Sequence, residues 1–434
     1  MKFIADFHIH SKYSRATSKE MDLENLDKWA RIKGIDVLGT GDFTHPAWFK
    51  ELKSKLEPAE PGLFQLKKQH QPKADRDWNI KSDGMKYILT TEISCIYSKK
   101  NKTRKAHIMI FAPSFEVVEK INAHLGWIGN LKADGRPILG LDAKELVKIV
   151  LNISPEALVI PAHAWTPHFS VFGSGSGFNS LKECFDEYTR YIYAIETGLS
   201  SDPAMNWRWS DLDGLSLISN SDSHSPRKIG REANIFEGKI MGFRQIAEAL
   251  RLGVRAPKNI ANRLAETIEF FPEEGKYHYD GHRNCKIVFD PAETKKHKGL
   301  CPVCGRPLII GVMNRVEKLA NRPVGSQPTG AVPFRRMIPL EEIIGEAMDL
   351  GVGTKGVEKE YRDLINKFGS EFKILLEADC DAITKVANHQ IGEALKRVRA
   401  GQVKIEPGYD GEYGKIKIFD GGERANFSKQ VSLF

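Results

Sequence analysis

Through about residue 255, short apolar runs alternate with helix-like stretches, the pattern of an α/β fold with parallel strands. The runs predict strands at Phe3–Phe7, Asp36–Gly39, Tyr87–Thr91, Ile108–Phe111, Ala157–Pro161, Tyr193–Glu196 and Leu215–Ser219. Leu23, Leu26 and Ala30 recur on one face before Gly34, which predicts a helix over Leu23–Lys33. A second helix fits Phe243–Leu252 and stops at Gly253. Metal-competent side chains stand at or just past most strand ends: His8 and His10, Asp42 and His45, Glu92, His163, Glu196, then Asp222 and His224. His107 opens its strand instead. A barrel-like arrangement would bring all these ends to one rim, as active sites in β/α barrels are built. After Ile338 the period turns helical over Leu340–Leu350, Val357–Lys367 and Ala382–Arg399, and Lys404–Phe434 reads as a turn plus a short hairpin. Three units are expected: a metal-binding α/β barrel over 1–265, a zinc-binding module over 266–336, and a helical region with hairpin and tail over 337–434.

Composition narrows the class. The 434 residues are 41% hydrophobic and 28% charged, with a net charge of +8, which excludes disordered, collagenous and strongly acidic proteins. A surplus of positive charge suits a polyanionic partner. Six cysteines in this length do not make a disulfide framework, and no apolar run reaches membrane-span length. A cytoplasmic, nucleoid-associated protein with no membrane partner and no nucleotide cofactor is expected. Residues 271–340 hold 12 Lys or Arg against 6 Asp or Glu, most of the chain's surplus, together with three of the six cysteines.

Asp6-Phe7-His8-Ile9-His10-Ser11 places two histidines at i and i+2, both projecting the same way off an extended segment. A lone pair of this kind is as often structural. Ser219-Asn220-Ser221-Asp222-Ser223-His224, Pro161-Ala162-His163 and Thr91-Glu92 repeat the pattern, which makes coincidence a poor account.

These segments resemble the polymerase-and-histidinol-phosphatase (PHP) family of metal-dependent phosphoesterases, whose fold is a distorted (β/α)7 barrel holding two or three metals. The resemblance implies one metal on His8, His10, Glu92 and Asp222, and a second on Glu92, His107 and His163. For a third ion the pattern departs: Ser14 is followed by Arg15 and Ala16, and His224 with Asp42 or His45 remains as a candidate set. Mixed imidazole and carboxylate ligands suit zinc or manganese better than magnesium alone. Asp222 and Glu196 are the catalytic candidates, and Glu196 could instead sit behind a histidine and orient it.

His282, Cys285, Cys301 and Cys304 follow the spacing H-x2-C-x15-C-x2-C, which predicts one structural zinc in a small ribbon-like module. His278 or His297 could replace His282 as the fourth ligand. Arg283, Arg306, Arg315, Arg335 and Arg336 around it, with Arg231 and Trp165 at the barrel rim, are candidate DNA contacts.

The zinc segment from Lys276 to Leu308, with Ser221–Pro226, Gly230–Ala233 and Gly173–Phe178, is similar to the endonuclease Q branch of the PHP family. That likeness implies nicking of DNA 5′ to hypoxanthine, uracil, xanthine or an abasic site, with 3′-hydroxyl and 5′-phosphate products. A small-molecule phosphatase would use the metals but leave the zinc module idle; a non-catalytic DNA-binding protein would use neither chemistry. The tail Gln430–Phe434 either docks on a DNA sliding clamp or packs on its own domain.

Overall fold

The computed structural model describes residues 2–72, 77–78, 85–238, 242–256 and 260–420. All seven expected strands form: β1 (Lys2–Asp6), β2 (Val37–Gly39), β3 (Lys86–Lys99), β4 (Lys102–Ala112), β5 (Leu158–Pro161), β6 (Ala194–Glu196) and β7 (Ser216–Ile218). β1, β2 and β3 run parallel, as do β6 and β7. Uniform parallel pairing fails in the middle, where β3 and β4 make an antiparallel hairpin and β4 pairs antiparallel with β5. The cause is local. Lys100 and Asn101 both adopt left-handed conformations, φ 52° and 59°, the pair that a two-residue hairpin turn requires. β3 therefore continues well past Glu92, which sits mid-strand rather than at a strand end.

Two strands absent from the sequence expectation, β8 (Ala233–Glu237) and β9 (Arg263–Glu269), extend the sheet antiparallel from the other side of β1. The β6–β7 pair is a separate ladder, so the strands do not close into one continuous ring. Its ends are joined to the rest by Ala164 N–H donating to Glu196 O (2.9 Å) and His10 N–H donating to Ser223 O (2.9 Å). Even so, one apolar cluster takes Ala5 and Phe7, Val37, Ile88, Met109, Ile160, Ala194 and Ile218, so every one of the seven strands faces a shared interior. Phe7 lies edge-on to Phe111 and Phe236 at its centre.

The helix Leu23–Lys33 forms within its expected bounds: the Asp22 carboxylate accepts from Asn25 N–H at one end, and Gly34 closes the other at φ 85°. Gly34 is needed twice, since a Cβ there would also lie 2.5 Å from Ser370 Oγ. Phe243–Leu252 is likewise helical as expected. In the C-terminal region helices span Leu340–Met348, Lys355–Phe368 and Glu371–Leu376. The single helix expected over 382–399 is broken into Cys380–Thr384 and His389–Arg399, because the Asn388 side chain accepts from Gln390 N–H and starts a new helix. Lys404–Glu406 pairs with Lys415–Lys417 as the expected hairpin, whereas the tail 430–434 lies outside the described residues.

The helical region docks on the first helix and on the loop after β7. Buried Lys33 pairs with buried Glu371 at 2.6 Å; Arg227 reaches Glu341 and Glu358, and Lys228 reaches Glu342, each at 2.8 Å. A boundary at 265 falls inside β9, and the short strand Phe334–Arg336 pairs parallel to β9. Residues on both sides of the cysteine module therefore belong to the same sheet.

Candidate active site

Above the shared interior the polar strand ends converge. His8 Nε2 lies 3.5 Å from Glu92 Oε2 and 3.7 Å from Asp222 Oδ1, and His10 Nε2 lies 3.4 Å and 3.1 Å from the same two atoms. On the other Glu92 oxygen sit His107 Nδ1 at 2.9 Å and His163 Nε2 at 3.0 Å. The β3–β4 register explains the second set: Glu92 opposes Met109 and Ser94 opposes His107, so Glu92 and His107 are diagonal neighbours on one face. Three groups result, His8–His10–Glu92, Glu92–His107–His163 and His10–Asp222–His224, each with its ligand atoms within 4.8 Å of one another.

The donor atoms themselves test whether cations fit. His8 Nε2, His10 Nε2 and Asp222 Oδ1 are buried and have no hydrogen-bond partner. Buried polar atoms ordinarily find partners, and lone pairs of nitrogen and oxygen aimed at one another suit a divalent cation. Burial alone would raise the Glu92 and Asp222 carboxyls, but His107, Arg136 and His8 hold Glu92 well below its usual range, and His8 and His10 lower Asp222 likewise. Burial pushes His107 down to about 4, so it is the neutral ligand form near pH 7. Asp42, His163 and Asp222 all hold left-handed backbone, φ 48°, 27° and 45°, which non-glycine residues seldom adopt.

Two of the candidate carboxylates stand behind the histidines: Asp42, a candidate for a third ion, and Glu196, for which orienting a histidine is one of the two expected roles. Both Glu196 oxygens lie 3.0 Å from His8 Nδ1, and they also accept from His163 N–H (2.7 Å) and Asn220 Nδ2 (2.9 Å). Glu196 is fully buried with its oxygens on His8, His163 N–H and Asn220, a placement that suits orienting His8. Asp42 does the same for His10 at 3.0 Å while accepting from Ser11 N–H and Ser14 Oγ. His45 stacks on Tyr13 at 4.5 Å. Neither Asp42 nor His45 joins a ligand group; the third group takes His10 and Asp222 with His224.

The cysteine module is a short hairpin, Asp280–His282 paired with Ile287–Phe289, facing the Cys301–Cys304 knuckle. Gly305 N–H donates to Cys301 O (2.8 Å), and Gly305 takes φ 70° to close that turn. His282, Cys285, Cys301 and Cys304 form one group within 4.8 Å. His282 is therefore the fourth member: His278 is buried against Tyr279, and His297 stacks on Phe289.

Residues 339–402 match the family model described as the MJ0043 C-terminal domain. The uncharacterized protein MJ0043 of Methanocaldococcus jannaschii is 33% identical over 59% of this chain, and the match spans 31% of that protein's length. The uncharacterized protein YqxK of Bacillus subtilis is 28% identical over 96% of this chain and 99% of its own. The lesion-specific endonuclease PfuEndoQ of Pyrococcus furiosus superposes with a TM-score of 0.83 at 28% identity, covering all of both chains. Endonuclease Q in complex with a 27-mer duplex substrate carrying an abasic lesion superposes at 0.81, with 29% identity over 97% of both. The chain resembles endonuclease Q along its whole length.

Within this endonuclease Q-like chain most of the expected DNA contacts are spent internally. Arg315 is buried and donates to Phe172 O and Phe178 O, both at 2.7 Å, pinning the 172–179 loop. Arg335 grips Glu266 through two hydrogen bonds, and Arg336 pairs with Asp202 and Glu273. Arg231 donates to Ser221 O at 2.9 Å and so braces the backbone beside Asp222. Trp165 is buried, with its indole N–H on Asn206 Oδ1 at 2.8 Å, and cannot stack on a base as placed. Arg283 and Arg306, on the cysteine module, are exposed and free to meet a phosphate backbone.

Sequence reasoning missed Arg136. Its Nη1 donates to Glu92 Oε2 at 3.0 Å, from a loop with no motif. The only available signal was the preceding glycine. A Cβ at Gly135 would lie 2.3 Å from Asp42 Oδ2, so this loop must pass directly against the site.

Proposed function

We propose that this chain is a metal-dependent DNA repair endonuclease that hydrolyses the phosphodiester 5′ to deaminated bases (hypoxanthine, uracil, xanthine) and abasic sites, leaving 3′-hydroxyl and 5′-phosphate ends. The observation that carries the reading is the full-length likeness to an endonuclease Q that holds an abasic duplex. The chain's own residues support it, since unpartnered imidazole and carboxylate atoms meet at one rim.

His8, His10, Glu92 and Asp222 would hold one cation, His107 and His163 with Glu92 a second, and His224 with His10 and Asp222 a third. Bound divalent ions of zinc, manganese or magnesium type supply an activated water and stabilise the departing 3′ oxygen. Glu196 and Asp42, each 3.0 Å from a histidine Nδ1, would orient His8 and His10 with Nε2 turned toward the cations. A structural zinc on His282, Cys285, Cys301 and Cys304 would fix the module that presents Arg283 and Arg306 to DNA. Deamination replaces an amino donor with a carbonyl acceptor, so a site offering an N–H there accepts the lesion and rejects the parent base. A flipped abasic or mispaired nucleotide also costs less to extract from the stack.

The test is a nicking assay on end-labelled duplexes carrying hypoxanthine, uracil, an abasic site or a normal base, with manganese, magnesium or chelator. A single metal-dependent cut 5′ to the lesion, absent from the normal duplex, is expected. Turnover of a simple phosphate ester with every duplex left intact would overturn the DNA assignment in favour of a small-molecule phosphatase.

A further inference from the structure

Arg136 donates to the same Glu92 oxygen that His8 and His10 face. A guanidinium carries five N–H donors in a planar fork. Among the described residues Glu92 is the one side-chain partner of Arg136, and 29% of its side-chain surface is exposed, so most of the fork is uncommitted. Asp134, the nearest other carboxylate on its loop, is taken by Arg15. The loop is tethered by Gly135 N–H donating to Tyr13 O at 3.1 Å, which anchors the backbone next to Arg136.

We propose that Arg136 is the substrate-phosphate arm of this centre: its guanidinium rests on Glu92 and transfers to a non-bridging phosphate oxygen once cations occupy the ligand groups. A cation held by His8, His10 and Glu92 would compete for the lone pairs that Arg136 uses and repel its charge. The released fork matches phosphate geometry, since paired N–H donors bind two oxygens at once. The inference rests on the phosphate-ester reading of the metal centre, and it does not depend on the ester being DNA.

The full-length chain, Arg136→Ala and Arg136→Lys are to be compared by manganese titration followed by electron paramagnetic resonance. Inorganic phosphate binding to the manganese-loaded proteins is then read from 31P relaxation. Arg136→Ala should hold manganese at least as tightly as the parent and bind phosphate about tenfold or more weakly, with Arg136→Lys between the two because it keeps charge but not the fork. Loss of manganese from Arg136→Ala would show that the arginine only positions Glu92, and unchanged phosphate affinity would remove its role altogether; either result overturns the proposal. Arg136-dependent phosphate binding in a protein that nicks no lesion duplex would support this inference while sinking the DNA assignment.

Discussion

At the scale of single residues, the centre is built as two layers. The Nε2 atoms of His8 and His10 face carboxylate oxygens, and Glu196 and Asp42 stand behind them on the Nδ1 atoms. Residues in the two layers should fail differently. Asp222→Ala removes a ligand atom and should abolish nicking while leaving affinity for the abasic duplex intact, as read by gel shift. Glu196→Gln keeps shape but weakens its hold on His8, so manganese affinity should fall by roughly 10–100-fold and excess manganese should restore the rate. If excess metal fails to rescue Glu196→Gln, the carboxylate does more than orient. The gathering of His8, His10, Glu92, Asp222 and His224 was legible because metal-competent residue types recur along successive strands. Arg136 was not, since an arginine in a loop carries no signal until the loop is seen lying against Glu92.

At the scale of elements, local chemistry decided more than period. The hairpin between β3 and β4 was hidden because Lys100 and Asn101 are a weak turn signal, yet it is this pairing that sets His107 beside Glu92. The cysteine module shows the opposite case. Its ligand spacing was plain, and folding only had to choose among His278, His282 and His297; Gly281 N–H on Ile309 O ties the hairpin to the knuckle side and brings in His282. Replacing Cys301 and Cys304 together by serine should lower zinc content by about one ion per chain, measured by elemental analysis, without changing manganese binding at the histidine and carboxylate centre. Concurrent loss of the manganese sites would show that the module and the histidine and carboxylate centre are not independent.

At the scale of the whole molecule, a second set of buried carboxyls lies beneath the centre. Burial lifts Glu269 to about 8 and Glu232 well above its usual range, while Thr197 and Thr267 hydroxyls donate to Glu269. An unfolded glutamate titrates near 4.5, so between that value and about 8 the folded chain keeps a proton that the unfolded chain has lost. This contribution is complete below pH 4.5 and disappears as pH rises through about 8. Melting temperature should therefore fall from about pH 6 to about pH 9 more steeply for the parent than for Glu269→Gln, which stays neutral throughout. Parallel curves would show that Glu269 is ionised in the folded protein. The same view explains why the C-terminal helices matter to the site: Arg227 and Lys228, a few residues beyond Asp222 and His224, are tied to Glu341, Glu342 and Glu358.

By itself the sequence determined the seven strand positions, the two helices bounded by caps and glycines, the candidate imidazole and carboxylate ligands, and the cysteine and histidine spacing of the small module. Each of these is local, written in periodicity, turn chemistry or residue spacing. The tertiary structure decided what depends on distant partners. It set β4 antiparallel against β5, put Glu196 and Asp42 behind histidines, buried Trp165 and Arg315, paired Arg335 and Arg336 with carboxylates, and laid Arg136 on Glu92. A guanidinium or carboxylate looks the same in sequence whether it meets solvent, substrate or another side chain, and only packing across the chain settles which.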